Sequence, residues 1–197
     1  GNKISHMSSH NNELFISTDL GNMLFDGTKI DNMGWGFPNS KIVDSYMSDG
    51  KTWYADKKTL IEKSGNKFKV HTLTFPSKNI YTQCLIFKNK NIYIGTNNGL
   101  YLWNDEQQLQ LKKKKINVTS LELFNDEVMI VGTKKGIYAF QNNNLIPINY
   151  ISSIKTNLDN IHIKDIKVVN SHEVWYSTFG EGIILHDPTT FFNIGEE

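Results

Sequence analysis

With 21 lysines, 20 acidic residues and no arginine among 197 residues, the chain has almost no net charge, so no field draws nucleic acid, and it lacks the planar two-pronged donor that grips carboxylates and phosphates. The single cysteine, Cys84, excludes an internal disulfide and a cysteine-rich metal site; within "YTQCLIF" it reads as a buried, inert thiol. Hydrophobic residues at 39% with 12% aromatics suit a β-rich globular fold, and no apolar run approaches the roughly 20 residues of a membrane-spanning helix.

The chain opens on an alternating segment, "ISHMSSH" (4–10), then two strand-forming runs about a turn, "ELFISTDLGNMLFDG" (13–27), then a short segment, "TKIDNM" (28–33). The same succession returns as "IVDSYMS" (42–48), "KTWYADKKTLIEKSG" (51–65) and "KFKVHTL" (67–73). It returns again as "YTQCLIF" (81–87), "NIYIGTNNGLYLW" (91–103) and "QLQLKK" (108–113). A fourth copy is "VTSLELF" (118–124), "EVMIVGTKKGIYAF" (127–140) and "LIPINY" (145–150), and a fifth is "IKDIKVV" (163–169), "EVWYSTFGEGIILHD" (173–187) and "TTFFNI" (189–194). Anchored at the end of each second strand, on Thr18, Asp56, Thr96, Thr133 and Thr178, the copies step by 38, 40, 37 and 45 residues.

Four short strands per unit of about 40 residues, with no sustained helical period, mark the blade of a β-propeller. The predicted fold is all-β: a five-bladed β-propeller in one domain over 1–197, with blades near 4–35, 42–74, 81–114, 118–151 and 163–194. A β-sandwich with evenly spaced strands is the alternative, but it gives no reason for glycine and threonine to recur at fixed places. In "IGTNNGL" and "VGTKKGI" the second glycine suits the positive φ of a tight hairpin, and the first leaves room for close approach. Blade 2 lacks both, so its turn "DKKT" is predicted to differ. Each blade is complete within its own stretch, so blades 1 and 5 are expected to meet by side-chain packing unless "FFNIGEE" (191–197) pairs with the N-terminal segment.

Blade 3, through Ile92, Tyr93, Ile94, Gly95, Thr96, Gly99, Leu100 and Tyr101, resembles the two-component regulator propeller repeat, abundant in the sensor regions of Bacteroidetes hybrid histidine kinases. Blade 4 follows through Val131, Gly132, Thr133, Gly136, Ile137 and Tyr138. Blade 5 keeps Trp175, Thr178 and Gly182 but has Ser177 where glycine is expected, and blade 2 retains Asp49, Gly50 and Trp53 of "SDGKTW". The resemblance implies an extracytoplasmic binding region, often for carbohydrate-related signals, in a family whose large sensors add more blades, a membrane span and kinase domains. It implies a periplasmic or cell-surface location for either a fragment of such a sensor or a small secreted protein or lipoprotein. Gly1 fits a cloning remnant or the residue following a lipidated cysteine.

In a propeller the first strands surround the axis, and the connections between blades share one end with the turns between second and third strands. Loops at that end carry most binding functions. The turns there offer Asp19, Lys57, Asn97, Asn98, Lys134, Lys135, Phe179 and Glu181; the connections add "NMGWGFPN" (32–39) and "YISSIKTNLDN" (150–160). Trp35 and Phe37, set among glycines before Pro38, either stack on a sugar or peptide or plug the gap between blades 1 and 2. Asn97 and Asn98 serve either as turn formers or as ligand contacts. The candidate ligand-binding residues are therefore Trp35, Phe37, Asp19, Asn97, Asn98, Lys134, Phe179 and Glu181.

No phosphate loop, nucleophile elbow or zinc helix motif occurs, so neither cofactor nor metal is predicted. His6 and His10 would lie on one strand face about 13 Å apart, too far to share an ion. His71, His162, His172 and His186 read as surface or turn residues. Asp44, Glu122 and Asp165 fall in first strands and form the only enzymatic constellation, that of a carbohydrate-active hydrolase with one carboxyl raised in pKa. Their different offsets predict that at least one faces away from the others. "SDGKTW" is also similar to the aspartate box of sialidases, which fix a substrate carboxylate with an arginine cluster; this chain has no arginine. The run Lys112–Lys115 reads as a polyanion patch or, more simply, as the lysines of a sheet edge. The expected protein is a monomeric, non-enzymatic ligand-binding or scaffolding propeller whose partner is a small molecule, a glycan or another protein.

Overall fold

The computed structural model describes residues 3–10, 12–33, 37, 40–104, 106, 108–148, 150–151, 156–158 and 160–187. Their regular structure is entirely β. Blade 1 comprises β1 (Ile4–His10), β2 (Glu13–Thr18), β3 (Gly21–Phe25) and β4 (Ile30–Asn32); blade 2 comprises β5 (Asp44–Ser48), β6 (Lys51–Ala55), β7 (Thr59–Ser64) and β8 (Lys67–Thr72). Blade 3 comprises β9 (Thr82–Lys88), β10 (Asn91–Thr96), β11 (Gly99–Trp103) and β12 (Leu109–Lys114); blade 4 comprises β13 (Val118–Leu123), β14 (Met129–Thr133), β15 (Gly136–Gln141) and β16 (Asn144–Ile148). A two-stranded ladder, β17 (Tyr150–Ile151) with β18 (Thr156–Asn157), occupies part of the 150–160 connection that the sequence suggested was only a loop. Blade 5 comprises β19 (Ile163–Asn170), β20 (Glu173–Thr178) and β21 (Ile183–His186). Every blade is an antiparallel meander in chain order, and the five make a β-propeller. The segments 189–194 and 191–197, expected as a fourth strand of blade 5 and as a ring closure, lie outside the described residues.

The recurring threonine has a specific task. In four blades its hydroxyl donates across the turn to a glycine carbonyl: Thr18 to Gly21 at 3.0 Å, and Thr96 to Gly99, Thr133 to Gly136 and Thr178 to Gly182 at 2.8 Å each. The same oxygen accepts a turn N–H, so one side chain closes the hairpin from within. Blade 2 reaches that end differently, as its sequence predicts. Asp56 Oδ1 accepts the N–H groups of Lys58 at 2.7 Å and Thr59 at 2.6 Å. Of the hairpin glycines, Gly136 has φ 92°, whereas a Cβ on Gly99 would lie 2.5 Å from the Lys113 carbonyl oxygen, so there the need is for space.

Alternation sorts side chains between neighbouring blades. Ile92 and Ile94 pack with Trp53 and Leu60 of blade 2, while Tyr93 faces Phe140 and Met129 of blade 4. Met129 and Val131 join that same layer, while Ile130 turns toward Tyr176 of blade 5. Each interface from blade 1 to blade 5 thus has its own apolar cluster. Gly95 and Gly132 permit this closeness: a Cβ on Gly95 would fall 2.5 Å from Val118 Cγ1 and closer still to Cys84 Sγ, and one on Gly132 would meet Ile163 Cγ2 at 2.7 Å.

A second repeated device lies near the axis. β1, β9, β13 and β19 each slip register after their first residue, leaving Ser5, Gln83, Thr119 and Lys164 as the extra residue. Three of these donate to a carbonyl at the entry to the next blade: Ser5 Oγ to Ile42, two residues before β5, at 3.1 Å, Gln83 Nε2 to Val118 at 2.6 Å and Thr119 Oγ1 to Ile163 at 2.7 Å. These clasps fix adjacent first strands at one height around the channel.

Candidate functional site

All five first strands line an axial cavity of about 420 Å³. His6, Asp44, Cys84, Ser120 and Asp165 occupy equivalent places, opposite Ser17, Ala55, Gly95, Gly132 and Ser177. Glu122 stands two residues beyond Ser120, and a step of two returns a side chain to the same face. The expectation that one of the three acids turns away is therefore corrected: Asp44, Glu122 and Asp165 all line the channel.

Each acid nevertheless has structural partners. Asp44 Oδ2 accepts the Leu85 N–H at 2.8 Å and its Oδ1 the Ser45 N–H at 2.8 Å. Burial pushes this carboxyl up to about 7, with the negative charges of Asp165 and Glu122 adding to the rise and the two N–H donors opposing it. Asp165 Oδ1 accepts from Ser120 Oγ at 3.0 Å and from the Ile166 N–H at 2.9 Å, and Glu122 pairs with Lys167 at 3.1 Å. With both Asp44 oxygens engaged by backbone, the arrangement braces strands more readily than it relays protons.

At the end carrying the blade connections lies a second cavity of about 420 Å³, which shares Val43, Gln83, Thr119 and Lys164 with the first. Lys57 and Lys134 reach it from the turns after β6 and β14, Tyr81 and His162 from the connections entering blades 3 and 5, and Lys164 from the bulge of β19. Lys57 Nζ lies 5.5 Å from the centroid of the Tyr81 ring, and Lys164 Nζ the same distance from that of Phe179. None of these three lysines makes an ion pair among the described residues. The His162 imidazole is lowered in pKa by burial and then by Lys164 and Lys134, so it is neutral near pH 7.

The other predicted loop residues fall in varied settings. Asp19 pairs with Lys41 at 3.1 Å on the surface. Asn97 spans two segments, its Oδ1 accepting the Tyr81 N–H at 2.9 Å and its Nδ2 donating to the Asn79 carbonyl at 3.0 Å. The Asn98 N–H donates to Thr96 Oγ1 at 3.2 Å, and its carbonyl accepts the Lys115 N–H at 3.2 Å. Phe179 is 70% exposed, beside His162. Glu181 is exposed, its N–H held by Thr178. Phe37 packs edge-on against Tyr54 and Phe68, each 5.2 Å between centroids, in the layer between blades 1 and 2. Trp35 lies outside the described residues.

Tyr81, Gln83, His162 and Lys164 had not been picked out from the sequence. Their signal was positional: Gln83 and Lys164 share the second place of a first strand with Ser5 and Thr119, a polar position in an otherwise apolar motif. The histidine pair also needs correction. His6 Nε2 and His10 Nε2 both lie 3.1 Å from Ser45 Oγ, because two long side chains lean toward one hydroxyl across the blade interface and outweigh the spacing of their backbones. Among the described residues no group of three or more His, Cys, Asp or Glu could hold a metal ion, and no helix is long and apolar enough to cross a membrane.

A third cavity of about 450 Å³ lies at the opposite end, between blades 3 and 4, lined by Lys88, Asn89, Tyr93, Asp126, Glu127, Phe140, Asn142 and Asn143.

The strand order and the axial channel define a β-propeller. No family model matches the sequence, and no curated protein matches it. Solved structures do. The fold is similar to the extracellular domain of BT4673 from B. thetaiotaomicron, described as a hybrid two component system, at TM-score 0.77 and 20% identity, covering 93% of this chain and 27% of that one. It is also similar to PorZ, a bacterial surface component of the type-IX secretion system of Porphyromonas gingivalis, at TM-score 0.66 and 15% identity, covering 93% and 32%. A third is the extracellular domain of BT3049 from B. thetaiotaomicron, likewise described as a hybrid two component system, at TM-score 0.58 and 15% identity, covering 94% and 33%. The chain thus spans about a third or less of each of these proteins, and the likeness is one of fold.

Proposed function

We propose that the protein is an extracytoplasmic ligand-binding propeller without catalytic activity, its whole length one domain, which takes a small molecule or a glycan at the axial mouth on the face of the blade connections. The observation that carries this reading is the continuity of the two axial cavities, open at the end where the turns and blade connections converge. Similarity of fold to extracellular domains of two-component proteins supports the location and a sensing role. The resemblance of blade 3 to the two-component regulator propeller repeat is what suggests carbohydrate as a ligand class. Lys134 and Phe179 belong to this mouth or its edge, and Trp35, from the 32–39 segment, is proposed as a stacking residue.

A glycan and metabolite panel, read by thermal shift on the wild-type protein, Tyr81→Ala and Trp35→Ala, tests the reading. Ligands of the axial mouth shift the wild type and lose their effect in Tyr81→Ala. Ligands that ignore Tyr81→Ala place binding elsewhere and overturn it. A hydrolysed glycan in the same panel favours the hydrolase alternative built on Asp44, Glu122 and Asp165.

A further inference from the structure

Resting on the axial mouth as the binding site, we infer that it selects for an anionic group, a carboxylate or sulfate carried by a small ligand. Three lysines, Lys57, Lys134 and Lys164, line one cavity. None has a carboxylate partner among the described residues, and no acidic side chain lines that cavity. In a chain whose charges nearly cancel, this is a local imbalance rather than a reflection of overall composition.

Two of the ammonium groups are positioned without being neutralised. A ring face attracts Lys57 through Tyr81 and Lys164 through Phe179 while leaving their N–H donors available. His162, neutral beside Lys134 and Lys164, adds a hydrogen-bonding edge without a competing charge. Deeper in the channel lie the charges of Glu122 and Asp165, beside an Asp44 whose burial favours its neutral form, and they repel an anion descending the axis. Cations at the rim and carboxylates below therefore hold the anionic group at the mouth, while the uncharged part of the ligand lies against Tyr81. Because lysine is a point charge and these three are exposed, binding of this kind weakens as salt is added.

Calorimetric titration with tri-galacturonate, its carboxyl-reduced neutral counterpart, citrate and inorganic sulfate tests the inference on the full chain. Tri-galacturonate or citrate is expected to bind, with affinity reduced about tenfold by each of Lys134→Gln and Lys164→Gln, as for loss of one charge-assisted contact. The neutral trisaccharide is expected to bind at least about tenfold more weakly. These lysines are exposed, so unchanged thermal unfolding of the variants separates lost binding from lost structure. Binding of sulfate alone with the same lysine dependence identifies a general anion site. Equal binding of acid and neutral trisaccharides, still sensitive to Tyr81→Ala, overturns anion selection and leaves the axial site standing. No binding by any of the anions overturns the inference, and the panel above then decides the site independently.

Discussion

Asp44 of blade 2 accepts the Leu85 N–H of blade 3 at 2.8 Å, at the one interface between blades 1 and 5 where the repeated clasp is missing because Val43 has no donor to offer. A carboxylate has taken over a task done elsewhere by Ser5, Gln83 and Thr119. The substitution carries a charge into the channel, and stability acquires a pH dependence.

The Asp44 carboxyl rises from 3.8 to about 7 on folding, so between these values the native state holds more protons than the unfolded one. Its contribution is therefore full below about pH 4 and is lost as pH rises toward 7, by on the order of 2–4 kcal/mol. We predict that the stability advantage of the wild type over Asp44→Asn shrinks across that window. Urea midpoints at pH 4.5, 6 and 8 measure it, and an advantage that grows with pH would contradict the assignment.

The His6, His10 and Ser45 contact has the opposite sign. Burial and then the neighbouring His10 lower His6 to about 4, and burial lowers His10. Their stabilisation is present above about pH 6.5 and is lost as pH falls toward 4, by roughly 1–3 kcal/mol. His6→Gln should flatten the acid limb of a plot of Tm against pH; an acid limb identical to that of the wild type would remove the histidine pair as its source.

Crowding at Gly95 gives a third prediction. Gly95→Ala forces a methyl between Cys84 Sγ and Val118 Cγ1 and should cost about 1–3 kcal/mol. Cys84→Ala in the same chain should recover part of that loss, because it removes one of the two obstacles. Additive losses in a double-mutant cycle by chemical denaturation would rule out this contact as the cause.

The clasps predict a smaller effect. Thr119→Val keeps the shape of the side chain but deletes the 2.7 Å bond to the Ile163 carbonyl, and should destabilise by about 1 kcal/mol. Unchanged unfolding midpoints would show that the bond to the next blade contributes nothing.

Blades 1, 3, 4 and 5 were legible because the threonine and the hairpin glycine of the Ile92 to Tyr101 motif recur in them, each answering a local demand of turn or packing, and blade 2, with Asp56 in the threonine's place, because its strands keep the spacing. The equivalence of Asp44 and Asp165 was open to view, since each is the third residue of its segment, "IVDSYMS" and "IKDIKVV". Glu122 is the fifth of "VTSLELF", and the step of two between third and fifth places keeps it on the same face rather than turning it away. The face bearing the mouth could be derived from topology, and Lys57 and Lys134 with it. Tyr81 and His162 could not, because only the tertiary arrangement brings the connections entering blades 3 and 5 to one cavity. Phe37 shows the converse: its loop is irregular in sequence, yet its ring fills an aromatic layer with Phe15, Tyr54 and Phe68.

Chemical-shift mapping with tri-galacturonate on isotope-labelled protein tests the central claim most directly, since cavities of similar size lie at both ends of the propeller. The axial mouth predicts shifts at Lys57, Tyr81, Thr119, Lys134 and Lys164 that fade with added salt. Shifts confined to Lys88, Asn89, Asp126 and Asn142 would place binding at the opposite end and contradict the account.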